Sequence, residues 1–413
     1  MNLPLPTGKQ ALYLLERFKE HNRFYQTKLR HLSTKHVDWQ EVPFTTKSEL
    51  LEDQAEHPPF GQIHGLPSAD YVRLHQTSGS RGRPLRWLDT PASWQWMLNN
   101  WRLIFQLAEI NSNDRLYFPF SFGPFLGFWT AFEGASKLGC FCVPGGGMTT
   151  LARLQMLLEL KMTVICCTPT YALRMLEVGQ AEGLPLQSSS VRALILAGEP
   201  GASIPSIRER IETGWNARVF DHYGMTEIGP LGMECLQNPG GFHLLASECI
   251  VEVIDTATQA PTPHGEEGEL VLTNLGRWGS PLLRYRTGDR VIMDVELCSC
   301  GRHWPRVRGG VLGRTDDLIL IRGNNVYPSM IEAIVMRFPM ITEYRMIVED
   351  AAGLTQLRIE IETATDAPSQ ITSDLADAIR NEYHFRPEVI RVSPGTLTKS
   401  EMKSSRLIRR INV

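Results

Sequence analysis

Between about residues 92 and 224, short apolar runs alternate with segments of helical period, and this alternation constrains the fold more than any other feature of the chain. Trp94–Gln106 carries a helical pattern, Arg115–Phe118 reads as a strand, Gly127–Leu138 as a helix and Cys140–Val143 as a strand. The helix Thr150–Leu160 precedes the strand Thr163–Cys167. Thr168-Pro169 then supplies a cap and a first-turn proline for a helix through Gln180. Arg192–Ala197 and Arg218–Asp221 add two more runs, with a helix around Ile204–Thr213 between them. Strands that return through helices lie parallel and are covered on both faces. Ligands then gather at the carboxyl ends of the strands, where the loops lie.

After residue 248 the pattern changes to paired β runs, Cys249–Ile254, Glu269–Thr273, Leu282–Arg286 and Arg290–Asp294, which predict a more antiparallel β subdomain over about 235–312. The remaining stretch mixes short strands with helices at Pro328–Phe338 and Ser369–Tyr383. The expected fold is α/β. A large N-terminal domain, 1–315, holds mainly parallel α/β sheets and the β subdomain, and a small mobile α+β domain covers 316–413. Ahead of both, Ala11–Leu29 reads as one helix with Leu12, Leu15, Phe18 and Tyr25 on one face.

Charge excludes some partners. Lys+Arg total 42 against Asp+Glu 45, a net −3, which gives no electrostatic case for nucleic acid. No run of about 18 apolar residues is present, and the first ten residues hold no apolar secretory core, so no membrane partner and a cytoplasmic location are expected. Eight cysteines in 413 residues do not make a disulfide scaffold; in a reducing compartment, paired cysteines are first candidates for metal ligands.

Several loops offer chemistry. In His75-Gln76-Thr77-Ser78-Gly79-Ser80-Arg81-Gly82-Arg83-Pro84, small residues let backbone N–H groups turn toward an anion, and hydroxyls and arginines suit a polyphosphate. The Gly-Lys-Ser/Thr ending of the common phosphate loop is missing. Asp221-His222-Tyr223-Gly224-Met225-Thr226-Glu227 reads as a strand-end loop with an aromatic face for a base, a hydroxyl for a phosphate and a carboxylate for magnesium. Leu196-Ala197-Gly198-Glu199-Pro200-Gly201, Arg286-Thr287-Gly288-Asp289, Leu312-Gly313-Arg314-Thr315-Asp316-Asp317 and Arg322-Gly323-Asn324-Asn325-Val326-Tyr327-Pro328 follow the same strand-then-turn logic. Each alone is explained by turn punctuation. His75 and His222 read as packed histidines rather than general bases.

In this order the segments resemble the signature series of the adenylate-forming superfamily of acyl- and aryl-CoA synthetases, and are similar in wording to its phenylacetate–CoA ligase branch. Gly198-Glu199-Pro200, Cys298-Ser299-Cys300-Gly301-Arg302, Arg322 to Pro328 and the ending Leu397-Thr398-Lys399-Ser400-Glu401-Met402-Lys403 carry the likeness, from about residue 70 onward. The resemblance implies that a carboxylate, favoured as aromatic, is activated by Mg-ATP to an acyl-adenylate and transferred to coenzyme A. An adenylating enzyme that serves a carrier protein or a coenzyme, without CoA, is the alternative. It implies Lys403, Thr226 and Glu227 as catalytic residues, with Glu227 on Mg2+. ATP would be held by Thr77, Ser78, Gly79, Ser80 and Gly82, by Gly198, Glu199 and Pro200, by Asp221, His222, Tyr223, Gly224, Met225 and Thr226, and by Asp289 and Arg314. The acyl pocket would draw on Phe120, Phe122 and Phe125, Ala197 and Gly198, Tyr223, Gly229 and Pro230. Arg322, Gly323 and Asn324 would meet CoA, and Asp316 would be the hinge. Arg81 stands where the family has threonine, Met402 where it has glycine, and Ala246-Ser247 where many relatives are acidic; Lys399 competes with Lys403 for its role. A buried aromatic cluster is the plain alternative for Phe118–Phe125.

Cys235-x7-His243 and Cys298-x-Cys300 form a set of three sulfurs and one imidazole at the ends of the β subdomain, fitting a closed structural Zn2+ site, and the family branch carries a similar cluster. Cys249 is a substitute ligand, while Cys140, Cys142, Cys166 and Cys167 sit in apolar runs as core residues. The partners expected are a small-molecule carboxylate and CoA, with a homodimer left open.

Overall fold

The apolar runs become parallel strands in the structure, a computed structural model that describes residues 5–20, 22–33, 37–77, 83–321, 324–351, 354–397 and 406–410. Arg73–Gln76 (β1) and Arg86–Asp89 (β2) pair antiparallel, Arg73 opposite Asp89. Arg115–Phe118 (β3), Phe141–Pro144 (β4), Val164–Cys167 (β5), Ala193–Leu196 (β6) and Arg218–Met225 (β7) are mutually parallel. Every residue of β5 and β6 is buried, as expected of parallel strands with helices on both faces. The covering helices begin where the sequence marks them. Thr90, Thr149 and Thr168 accept from the backbone N–H three residues on, and prolines open Pro91–Leu107, Pro169–Ala181 and Pro205–Trp215.

Gly229–Cys235 (β8), Asn238–Leu244 (β9), Cys249–Ile254 (β10), Glu267–Asn274 (β11), Tyr285–Met293 (β12) and Arg306–Arg314 (β13) are antiparallel neighbours. Both halves belong to one 11-stranded sheet in the order β10-β11-β12-β13-β9-β8-β7-β6-β5-β3-β4. The seam is β7, parallel to β6 on one side and antiparallel to β8 on the other. Three sequence expectations change. Asp221–Met225 is not a loop but the second half of β7. The runs Leu282–Arg286 and Arg290–Asp294 are not two strands: Tyr285 to Met293 form the single strand β12, which Leu282 to Arg284 precede, and its pairing with β11 is broken by a bulge. Ala11–Leu29 is two helices, Gly8–Lys19 and Arg23–Lys28, the second capped by Asn22.

The N-terminal helices pack on the antiparallel half. The buried Tyr25 hydroxyl accepts from Leu283 N at 2.9 Å. The buried Arg284 guanidinium donates to the carbonyls of Trp39, Gln40 and Val42 and to the Glu252 carboxylate, so one side chain fixes the path of that segment. Beyond Arg314, a hairpin of Ile319–Ile321 (β14) and Asn324–Val326 (β15) leads into the smaller C-terminal domain. Its sheet, of Ile341–Ala351 (β16), Leu354–Thr363 (β17), Glu388–Arg391 (β18) and Leu407–Arg410 (β19), has the order β18-β17-β16-β19 and its own apolar core. The domains meet where Ser329 Oγ donates to Leu312 O at 2.6 Å, Ser206 Oγ to Ala333 O at 3.1 Å and Tyr327 OH to Glu267 Oε1 at 2.9 Å. Among the described residues, no helix is long and apolar enough to cross a membrane.

Candidate active site

The seam strand assembles the site. A bulge between Tyr223 and Gly224 interrupts its pairing with β8, and only glycine fits there, because a Cβ on Gly224 would lie 2.9 Å from Gly229 O. Beyond it, Thr226 and Glu227 turn the chain into β8. The Tyr223 ring stacks on Phe242, with centroids 5.0 Å apart and planes 6° apart, and its hydroxyl donates to Asp289 Oδ2 at 2.7 Å. Asp289, on β12, faces Arg314, on β13, in register. Arg314 Nη1 donates to Asp289 Oδ1 at 2.9 Å and Nε to Asp316 Oδ1 at 3.1 Å. Burial raises the Asp289 carboxyl, opposed by the Arg314 charge. Four residues singled out by sequence, Tyr223, Asp289, Arg314 and Asp316, thus form one hydrogen-bonded line.

Glu227 is 4% exposed. Its Oε1 lies 3.2 Å from Lys47 Nζ and accepts from Tyr285 OH at 3.4 Å. The carbonyls of Thr226 and Glu227 accept from Arg277 Nη1 at 2.6 and 3.1 Å. Lys47, Tyr285 and Arg277 were missed by sequence reasoning; the first lies beside a capping box and the other two in strand or turn patterns, with no local signal of a shared site.

The other predicted segments approach from the strand ends. Gly198 leaves β6 with φ +92°, and Glu199 Oε1 accepts from Thr170 N at 2.8 Å, tying this turn to the first turn of helix Pro169–Ala181. Thr77 N donates to Leu85 O and Leu85 N to Thr77 Oγ1, each at 3.0 Å, closing the base of the connection between β1 and β2. Gln76 N donates to Pro124 O at 2.7 Å, joining that base to the aromatic segment. Ser78, Gly79, Ser80, Gly82, Arg322, Gly323, Lys399 and Lys403 lie outside the described residues. The backbone of Asn324 opens β15.

Asp221 hydrogen-bonds Ser203 and lies close to Arg208, which pairs with Glu234 across β7–β8. Burial pushes Asp221 up to about 6 and Glu234 to about 8. Both carboxyls therefore belong to a polar cluster around Arg208, beneath helix Pro205–Trp215, in which burial disfavours the carboxylate charge. His222 packs against Trp101 at 4.4 Å with Nδ1 2.8 Å from Gly232 O, and His75 stacks on Trp94 at 5.4 Å. Burial lowers each to about 4, so both are neutral near pH 7.

In the aromatic segment, Phe120 and Phe122 meet edge to face at 5.5 Å, and Phe122 also meets Trp129 at 4.8 Å and Phe132 at 5.5 Å. Phe125 stays 40% exposed. Beside Phe122 a recess of about 510 Å³ is lined by Ser121, Gly123, Pro144, Gly146 and Gly147. Ala197 follows β6, and Gly229 and Pro230 open β8, where Pro230 O accepts from Asn100 Nδ2 at 3.2 Å.

The sulfur and imidazole set also converges. Cys235 Sγ is 3.6 Å from Cys298 Sγ, Cys300 Sγ is 3.4 Å from His243 Nε2, and all four donor atoms lie within 4.8 Å of one another. A tetrahedral ion with bonds of about 2.3 Å to sulfur needs donor separations of about 3.8 Å. His243 Nδ1 is 3.1 Å from Trp304 O, an outer contact that leaves Nε2 toward the cluster. Cys249 Sγ instead donates to Leu245 O at 3.3 Å.

Comparison with known proteins gives this geometry its context. The AMP-binding enzyme profile matches residues 16–276, and the AMP-binding enzyme C-terminal domain matches 323–410. The chain is 32% identical over 330 residues to a phenylacetate–coenzyme A ligase of Thermus thermophilus, covering 79% of this chain and 72% of that one. It is 27% identical over 391 residues to that of Escherichia coli, covering 91% and 86%. Among solved structures, 2-hydroxyisobutyryl-CoA ligase in its postadenylation state superposes with a TM-score of 0.90 at 27% identity, over 97% of this chain and 88% of that one. The same ligase in its thioesterification state gives 0.72 at 28% identity, with the same coverage. The chain belongs to the AMP-binding enzyme family and, within it, to the phenylacetate–coenzyme A ligase branch.

Proposed function

We propose that the chain is an AMP-forming acid–thiol ligase that activates an aromatic carboxylate with Mg-ATP and passes the acyl group to coenzyme A. The observation that carries the reading is the line Tyr223–Asp289–Arg314 beside the turn Thr226–Glu227 with its buried Glu227, a place for a nucleoside next to a place for its phosphates.

A carboxylate oxygen leaves too poorly for direct thiolysis. In the first step the substrate oxygen attacks the α-phosphorus, the bond to the β-phosphate breaks and pyrophosphate departs. In the second the thiol gives up its proton to solvent, its sulfur attacks the acyl carbon, and AMP leaves with the former carboxylate oxygen. Both steps are chiefly matters of alignment and charge. In this reading Tyr223, Glu199 and Pro200 border the base, Asp289 and Arg314 take the ribose hydroxyls, and the Thr226 hydroxyl meets the α-phosphate. Asp221, His222, Gly224 and Met225 shape the seam strand around them. Glu227 would hold the magnesium ion, which supplies charge to the phosphates. The segment Thr77 to Gly82 takes the outer phosphates, and Lys403 bridges carboxylate and α-phosphate. The substrate acid is already ionised near pH 7, so the first step needs no general base, in keeping with neutral His75 and His222.

The better superposition on the postadenylation structure than on the thioesterification structure of one relative supports a small domain set for the first step. Swinging about Asp316 would then bring Arg322, Gly323 and Asn324 toward CoA. The aromatic wall of Phe120 and Phe122 favours an aryl or arylacetic acid. Cys235, His243, Cys298 and Cys300 would hold a structural zinc ion. A reducing compartment such as the cytoplasm suits them, since oxidation would remove two thiolate donors.

A panel of aromatic and aliphatic acids, assayed by AMP release with and without CoA, tests this. Aromatic acids should turn over best and only with CoA. Preference for short aliphatic acids would overturn the substrate class, and adenylate formation that never consumes CoA would overturn the acceptor.

A further inference from the structure

Arg277 is completely buried, and its guanidinium is committed on two sides. Nε and Nη2 donate to the two oxygens of Asp89 at 2.7 and 2.6 Å, while Nη1 donates to Thr226 O at 2.6 Å and Glu227 O at 3.1 Å. Trp87 lies beside it, 5.7 Å from ring centroid to guanidinium carbon. The segment that carries Arg277 has little freedom. Tyr71 OH donates to Gly279 O at 2.5 Å, Ser280 Oγ donates to Leu88 O, and a Cβ on Gly276 would meet the Trp96 ring at 2.0 Å.

Asp89 ends β2, the strand that follows the connection carrying Thr77. Thr226 and Glu227 are the turn after the seam strand. One planar cation therefore joins the hairpin of the proposed outer-phosphate loop to the proposed α-phosphate and magnesium turn. A buried ion pair is a poor source of stability, because well-packed apolar side chains of similar volume do as well or better. What apolar side chains lack is directed donors, and here these end on two successive carbonyls. Lysine could not replace this fork, since its ammonium has no rigid planar geometry.

We propose that Arg277 is a positioning residue for Mg-ATP, holding the Thr226–Glu227 turn in register with the β1–β2 hairpin. The proposal rests on the nucleotide reading of that turn. Three variants test it: Arg277→Lys, Arg277→Met, and Arg277→Met combined with Asp89→Leu. The last removes both charges, so no carboxylate is stranded. Mg-ATP binding is measured calorimetrically in the full chain, beside thermal midpoints and the KM for each substrate. Arg277→Lys and the double variant should bind Mg-ATP about tenfold more weakly or worse, a shift of about 1.4 kcal/mol. The KM for the carboxylate should stay within about twofold, as a uniform loss of structure would not allow. The double variant should also melt closer to wild type than Arg277→Met. If Arg277→Lys does not fold, the double variant decides. A double variant that folds and binds Mg-ATP as wild type does would overturn the proposal, as would an equal rise in both KM values. A wild-type chain that binds Mg-ATP but forms no acyl-CoA would sink the ligase reading alone, because the effect on nucleotide affinity would still be measured. No Mg-ATP binding at all would overturn both.

Discussion

Asp289 shows how one side chain is made ready before any ligand arrives. Tyr223 and Arg314 each take one of its oxygens, so the carboxylate is already oriented and its burial partly compensated. Replacing it by asparagine keeps the shape but leaves Arg314 with Asp316 as its charged partner. Asp289→Asn should raise the KM for ATP by about tenfold or more, the scale of a charge-assisted hydrogen bond of about 1.5–3 kcal/mol. Steady-state kinetics at saturating carboxylate and CoA check this; an unchanged KM would remove Asp289 from the nucleotide site. Tyr223, Asp289 and Arg314 were legible in the sequence because each stands in one of the motifs that carry the family resemblance, although the structure sets all three within strands rather than in turns. Arg277 was not, because its partner Asp89 is 188 positions away and its other contacts are backbone carbonyls of ordinary residues. Lys47 escaped for the same reason: a lysine after a capping threonine reads as the start of a helix, which it also is.

At the scale of elements, apolar content decided what could be read. Val164–Cys167 and Ala193–Leu196 announce themselves as runs of buried residues. By contrast Gly229–Cys235, Asn238–Leu244 and Arg306–Arg314 contain glycines, and two of them a proline, which local preference assigns to turns. These strands exist because their neighbours in the sheet pair with them, which no local window contains. They also bring Cys235 and His243 to Cys298 and Cys300, so the proposed zinc fastens the ends of segments with weak intrinsic preference. About one zinc per chain is expected by elemental analysis. Stripping it with a chelator should cost about 3 kcal/mol, or roughly 5–10 °C of thermal midpoint. Metal-free protein with an unchanged midpoint would refute a structural site.

For the whole molecule, the division of labour lies between a rigid sheet and a smaller domain that has its own core. If Lys403 serves only the first step, Lys403→Ala should lower adenylation by at least about a hundredfold, a typical scale for one directed charge. The transfer of a supplied acyl-adenylate to CoA should fall far less. Pyrophosphate exchange and single-turnover thioester formation measure the two separately. A loss confined to Lys399→Ala would shift the assignment to that residue.

The seam strand carries a final consequence, for anyone who would build hybrids of this enzyme. Arg218–Met225 is gripped by a neighbour running with it and another running against it, so sliding it by one residue would turn Tyr223 from Phe242 and Asp289 toward the opposite face of the sheet. Crossovers inside that strand, or between it and Gly229–Cys235, would divide what must be inherited together. Exchange is safest where the backbone leaves the large sheet altogether, past Arg314, and there whole terminal domains could be traded as units.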